Sequence, residues 1–69
     1  MSQVPNTSMD ILQTALRKER AAYAFYEETA RTTHVVEVRD LVLTLKDEEA
    51  RHVRMIEQKI ASLHLQSEA

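Results

Sequence analysis

Residues 38–56 read VRDLVLTLKDEEARHVRMI and carry the clearest pattern in the chain. Apolar residues recur here every three or four positions, which places them on one side of a helix. The stripe continues beyond this segment and comprises Val38, Leu41, Val42, Leu45, Val53, Ile56, Ile60 and Leu63. The opposite side is polar, with Asp47 and Arg51 among its residues. The pattern predicts an amphipathic helix over about residues 35–64, with residues 66–69 expected to fray.

A second helical pattern precedes this one. Its apolar residues have the same spacing and comprise Leu12, Ala15, Leu16, Ala22, Tyr23, Tyr26 and Ala30. They predict a helix over about residues 8–32, which Thr7 or Ser8 can cap, with Pro5 outside it. Since the chain has no Gly and no other Pro, nothing interrupts either helix. The helical spacing of the apolar residues changes phase at residues 31–35, which marks the connection between the two helices. So short a connection predicts an antiparallel two-helix hairpin.

The size of the chain limits what it can be. With 69 residues it has room for one domain, spanning 1–69. A chain this small buries little surface and usually needs a disulfide, a metal or self-association. There is no Cys, so metal binding and self-association remain. A two-helix hairpin leaves one apolar face bare, so we expect an all-α fold in which two hairpins dimerise into a four-helix bundle.

Charge and hydropathy disfavour two classes of partner. The net charge is −2 and is distributed along the chain, whereas a nucleic-acid-binding surface requires a basic stripe. No segment approaches the roughly 18 apolar residues of a membrane span. Residues 1–10 lack the basic and apolar regions of a signal peptide. We therefore expect a cytoplasmic protein that binds neither nucleic acid nor membrane.

Three polar residues interrupt the apolar stripes. At about 100° per residue, Glu19 falls in the middle of the first stripe and Glu49 in the middle of the second. His52 lies one turn beyond Glu49 on the same face. A buried carboxylate needs a compensating charge. Lys46 lies only at the edge of its stripe and Arg20 well off its own, so the missing positive charge points to a bound metal.

The number of ligands indicates which kind of metal site this is. One chain offers Glu19 from the first helix and the pair Glu49 and His52 from the second. Two chains related by a two-fold axis would offer four carboxylates and two imidazoles, which is the ligand set of a di-iron carboxylate bundle. Oxygen-rich ligation with one imidazole per metal suits iron, with manganese as the other possibility.

Two motifs that span both helices carry a family resemblance, namely Glu19-x-x-Ala22-x-x-Phe25-Tyr26 and Asp47-Glu48-Glu49-x-x-His52. They resemble the rubrerythrin and ferritin-like superfamily. Those proteins usually carry two hairpins in one polypeptide, so this single hairpin most resembles the encapsulated ferritins, whose halves dimerise to complete a ferroxidase site. The resemblance implies that Glu19, Glu49 and His52 are iron ligands and catalytic residues, and that Tyr26 lies near them.

The same resemblance implies an activity and a partner. Such proteins oxidise Fe(II) to Fe(III), and the encapsulated group passes iron to an encapsulin shell for storage. We therefore expect a ferroxidase that works as a homodimer or higher oligomer, possible cargo of such a nanocompartment. Lys18 and Ala21 depart from the family pattern, which tends to place acidic residues beside the first ligand. The sequence also ends at Ala69 without the shell-docking extension, so either that extension is missing here or the protein works outside a shell.

Other interpretations of the same residues stay open. Tyr23 and Tyr26 are candidates for the surroundings of the metal but also fit the bundle core, and Glu48 fits either the mouth of the site or solvent. Glu19, Glu49 and His52 could be solvated, if the helix phase differs, or form a metal-free network. The alternative functions are a rubrerythrin-like peroxide reductase, which would need an electron donor, and a metal-free helical dimerisation module.

Overall fold

The computed structural model describes residues 7–68 and consists there of two α-helices and no strand. Helix α1 is Ser8–Thr32 and helix α2 is Val36–Glu68. The predicted all-α hairpin is confirmed. Helix α2 begins one residue later than predicted, and it is longer at its end because nothing after Leu63 breaks the helix. The fraying expected for 66–69 stays a prediction, and Pro5 and Ala69 lie outside the described residues.

Helix α1 has a threonine as the capping residue at each of its two ends. The Thr7 side chain accepts a hydrogen bond of 3.0 Å from the backbone N–H of Asp10, which is a standard N-cap. At the other end, Thr33 is extended, with φ −79° and ψ 140°, and its N–H donates to the carbonyl oxygen of Thr29. No described residue has a positive φ, so this connection of residues 33–35 needs no Gly. Arg39 donates to the Thr33 carbonyl oxygen and ties the connection to α2.

The hairpin is a layer one helix thick. The hairpin measures 50 × 31 × 12 Å along its principal axes, so it is far thinner in one direction than in the other two. Among residues 7–66, whose side chains are described, only Ala30 is buried. Large apolar side chains are exposed by a third or more along both helices: Ile11, Phe25, Val35, Val36, Val38, Leu41, Leu43, Met55 and Leu65. The apolar residues between the two helices are thus only partly covered by the hairpin itself.

The two broad sides of this layer differ in chemistry. The first side, which we call the basic flank, contains Arg20, Lys46 and Glu57. The Arg20–Glu57 ion pair joins the two helices there, and the Lys46 Nζ atom lies 5.8 Å from the ring centroid of Tyr23. We call the other the apolar flank, defined by Ile11, Phe25, Leu41 and Met55. Leu41 and Met55 lie eleven residues before and three after His52, so helical spacing places them on the same side as this histidine. No helix within residues 7–68 has the length and apolar character that crossing a membrane requires.

Candidate metal centre

The two helices bring three potential metal ligands together at mid-height of the seam. Helix α1 supplies Glu19, and α2 supplies Glu49 and, one turn later, His52. The Nδ1 atom of His52 lies 3.1 Å from Oε1 of Glu19 and 3.0 Å from Oε1 of Glu49. One ligand atom from each residue falls within 4.8 Å of the others. The residues are 33 positions apart at most, so only the hairpin register creates this cluster.

The cluster is partly sheltered and lacks a basic partner. The side chains of Glu19, Glu49 and His52 are 27%, 15% and 42% exposed. Arg20, adjacent to Glu19 in sequence, pairs instead with Glu57, and Lys46 lies over the Tyr23 ring. Within the described part of the chain, no lysine or arginine forms an ion pair with either carboxylate of the cluster. The two carboxylates are therefore close together, and His52 contacts both of them.

The closeness of these groups changes the pKa of the Glu49 carboxyl. A hydrogen bond with Glu19 raises the pKa of the Glu49 carboxyl above its ordinary value of 4.5, and its limited exposure and the charge of Glu19 act in the same direction. The charge of His52 and its hydrogen bond act the other way and only partly offset them. The folded, metal-free protein thus holds the Glu49 proton more tightly than the unfolded chain does. A bound cation would reverse that preference, because it stabilises the ionised form.

The raised pKa predicts how the stability of the metal-free hairpin depends on pH. The folded state retains the Glu49 proton at pH values where the unfolded chain has lost it. The resulting stabilisation is complete below 4.5 and is lost as the pH rises through the raised pKa. Substituting Glu49→Gln keeps the hydrogen-bonding group uncharged, so we expect a higher thermal midpoint at neutral pH and a flatter pH profile, measured with a chelator present.

Glu27→Gln is the matched control, because Glu27 is exposed and lies outside the cluster. This substitution should leave unchanged the slope of the thermal unfolding midpoint against pH between about pH 4.5 and 7. A Glu49→Gln variant that is less stable than the parent at neutral pH would show that the ionised carboxylate is favoured without metal.

The donor set suits a hard divalent transition metal. Each chain offers two carboxylate oxygens and one imidazole nitrogen, and the sequence has no thiolate. Carboxylate with imidazole fits iron or manganese and does not fit a thiolate-rich zinc site. His52 presents Nδ1 to both carboxylates, so this atom would bind the metal and Nε2 would carry the ring proton. Three donors leave the coordination of one ion incomplete.

The other residues proposed for the site lie around the cluster and not in it. Tyr26 is half-buried and packs edge-to-face on Phe25, with ring centroids 5.5 Å apart. Tyr23 contacts Lys46, and Glu48 is half-buried outside the cluster. Among the described residues, no hydrogen bond joins either tyrosine hydroxyl to the three ligands. Their roles near the metal stay predictions.

Some features of the surroundings could not be found by reading the sequence. The Arg20–Glu57 pair links positions 37 apart, and nothing in either helix alone indicates it. The Lys46 contact with Tyr23 likewise depends on the register between helices. His34 is exposed in the connection and is not part of the cluster.

The fold and the cluster together define a ferritin-like helical hairpin with a carboxylate–histidine centre. A family model, Rubrerythrin, matches residues 10–69, which is nearly the whole chain. The chain therefore belongs to the rubrerythrin family of the ferritin-like superfamily. Members of this family usually bind iron, and Glu19, Glu49 and His52 form a group that can hold a metal. Neither the curated proteins nor the solved structures yielded a match.

Proposed function

We propose that this protein oxidises Fe(II) to Fe(III) at a di-iron site shared between two copies of the chain, for iron storage and detoxification. The observation that carries the proposal is the convergence of Glu19, Glu49 and His52, whose ligand atoms lie within 4.8 Å without a basic partner. Membership of the rubrerythrin family supports iron as the metal. Manganese fits the same donors and is the alternative that metal analysis would reveal.

A second copy is needed for two independent reasons. One chain provides two carboxylates and one imidazole, which is half of a di-iron ligand set. The layer is also one helix thick and leaves the apolar flank exposed beside His52. A two-fold axis at the cluster would place four carboxylates, carrying about −4, around two divalent ions carrying about +4. The same docking event would cover the apolar flank and complete the site.

Each ligand has a distinct task in this proposal. Glu19 and Glu49 neutralise the incoming ions, and the unfavourable closeness of their charges is relieved when a cation enters. His52 supplies a neutral donor whose Nδ1 already faces both carboxylates. Iron held there would supply the electron transfer: two Fe(II) ions would give up two electrons, which with two protons would reduce peroxide to water or dioxygen to peroxide. The protein contributes geometry and a sheltered surface.

Fe(II) oxidation under the two oxidants tests this activity. We expect the protein to accelerate the appearance of ferric absorbance over buffer, with a rate that scales with the concentration of dimer. A second candidate, peroxide reduction, is equally compatible with membership of the family. A reductase would prefer peroxide strongly over dioxygen and, with an added electron donor, would turn over peroxide without accumulating Fe(III). No acceleration with either oxidant would contradict both candidates.

We further propose that the protein works in the cytoplasm and delivers iron to an encapsulin shell. This part of the proposal is supported by the resemblance of the single hairpin to encapsulated ferritins. Co-expression with an encapsulin shell protein, followed by size-exclusion chromatography, tests it. Elution of the hairpin only at its own size, apart from the shell, would count against the shell as a partner.

A further inference from the structure

The basic flank contains a groove that the metal centre does not use. Its volume is about 320 Å³, and it is lined by Arg20 and Tyr23 from α1 and by Ala50, Val53 and Arg54 from α2. Two guanidinium groups therefore border a floor made of an aromatic ring and small aliphatic side chains. The chain as a whole carries a net charge of −2, so this local concentration of positive charge is not a consequence of composition.

The two arginines are available to a ligand in different ways. Arg20 is paired with Glu57 through Nη2, which holds the guanidinium at the groove while its other N–H donors stay free. Arg54 is exposed and has no ion-pair partner among the described residues. Lys46, whose Nζ lies 5.8 Å from the Tyr23 ring centroid, adds a third positive charge nearby. The lining itself therefore holds two positive charges and no acid, and Glu57 is the carboxylate paired with one of them.

The groove stays open if a second copy docks as proposed above. Arg20, Arg54 and Glu57 belong to the basic flank, whereas the exposed apolar side chains beside His52 belong to the opposite side of the layer. The groove is nevertheless close to the metal centre, because Arg20 follows Glu19 and Val53 follows His52 in sequence. A molecule bound there would sit beside the ligands without competing for them.

We propose that this groove binds a small organic carboxylate with an apolar, preferably planar, body. Guanidinium groups match a carboxylate geometrically and can donate two parallel hydrogen bonds to it. The Tyr23 ring offers a stacking surface, and Ala50 and Val53 offer aliphatic contact. At 320 Å³ the groove is at the lower end of the size of ligand pockets, which suits a molecule with about ten non-hydrogen atoms.

Titration of the metal-free protein with benzoate tests the inference without reference to iron. Two-dimensional NMR should show saturable shifts confined to the amides around positions 20, 23, 50, 53 and 54, with a Kd on the order of 1 mM. Sulfate carries charge without an apolar body, and benzyl alcohol carries the body without the charge. Both should bind at least about tenfold more weakly than benzoate.

Two arginine variants supply the internal comparison. Arg54→Gln should weaken benzoate binding about tenfold, because it removes the unpaired guanidinium. Arg51→Gln removes the same charge from an exposed position of the same helix that does not line the groove, and should change the Kd by less than about twofold. Sulfate binding as strong as benzoate, or equal effects of the two variants, would overturn the proposal. Neither result depends on whether the protein oxidises iron.

Discussion

Replacing Glu49 with alanine is expected to abolish protein-dependent Fe(II) oxidation and to leave the helical hairpin intact. Glu49 is the least exposed of the three proposed ligands, at 15%, and its Oε1 atom lies 3.0 Å from the His52 Nδ1 atom. Its removal takes one carboxylate from each half of the shared site, so two of four are lost in the dimer. The loss of metal affinity should exceed the ~10–100-fold that is typical when only a residue supporting a ligand is removed.

Anaerobic titration with Fe(II) measures the metal affinity. The rate at which ferric absorbance appears under dioxygen and under peroxide measures the oxidation. Helical content by circular dichroism should stay unchanged, because Glu49 contributes no capping or backbone contact. Glu37→Ala is the matched control, since Glu37 is an exposed acid on the same helix, outside the cluster. Wild-type oxidation rates in Glu49→Ala would refute the assignment of the site.

Substituting Leu41→Lys is expected to convert the proposed dimer into a monomer and, as a consequence, to remove the proposed iron binding. Leu41 is 58% exposed on the apolar flank, eleven residues before His52, and would be covered by the second copy. Burying an unpaired ammonium group at an interface is costly. We expect the dimer to dissociate at least about 100-fold more readily. Analytical ultracentrifugation should then show a species of 8.0 kDa.

Leu43→Lys provides the control for this experiment. Leu43 is also exposed, at 37%, but it lies seven residues before Ala50 and so on the basic flank. This variant should remain a dimer and keep its affinity for iron. If both leucine variants dimerise normally, the second copy does not dock on the apolar flank. If Leu41→Lys is monomeric but binds iron as tightly as the parent, one chain suffices for the site.

The local structure of this chain could be read from its sequence because it depends on helical periodicity. The bounds of α1 follow from the cap at Thr7 and from the change of phase after Thr32. The fold of the hairpin follows from the short connection between two amphipathic segments. The sequence predicts the end of α2 near residue 64, whereas the helix extends to Glu68, because its polar terminal segment contains no helix-breaking residue.

Relations between the two helices were harder to predict than the helices themselves. Glu19 and Glu49 stood out because each is an acid within an apolar stripe, which can be seen in one helix at a time. The pairing of Arg20 with Glu57 depends on the register between helices, and sequence spacing contains no information about it. Val38 was assigned to the apolar stripe but is 46% exposed, since one hairpin cannot cover both sides of its seam.

Native mass spectrometry of the wild-type protein, prepared anaerobically with excess Fe(II), tests the central claim most directly. The proposal predicts a dimer of twice 8.0 kDa that carries two iron ions, and a metal-free dimer when Glu49 is replaced by alanine. A chain that remains monomeric, or a dimer that retains no iron under conditions where the helices are intact, would contradict it.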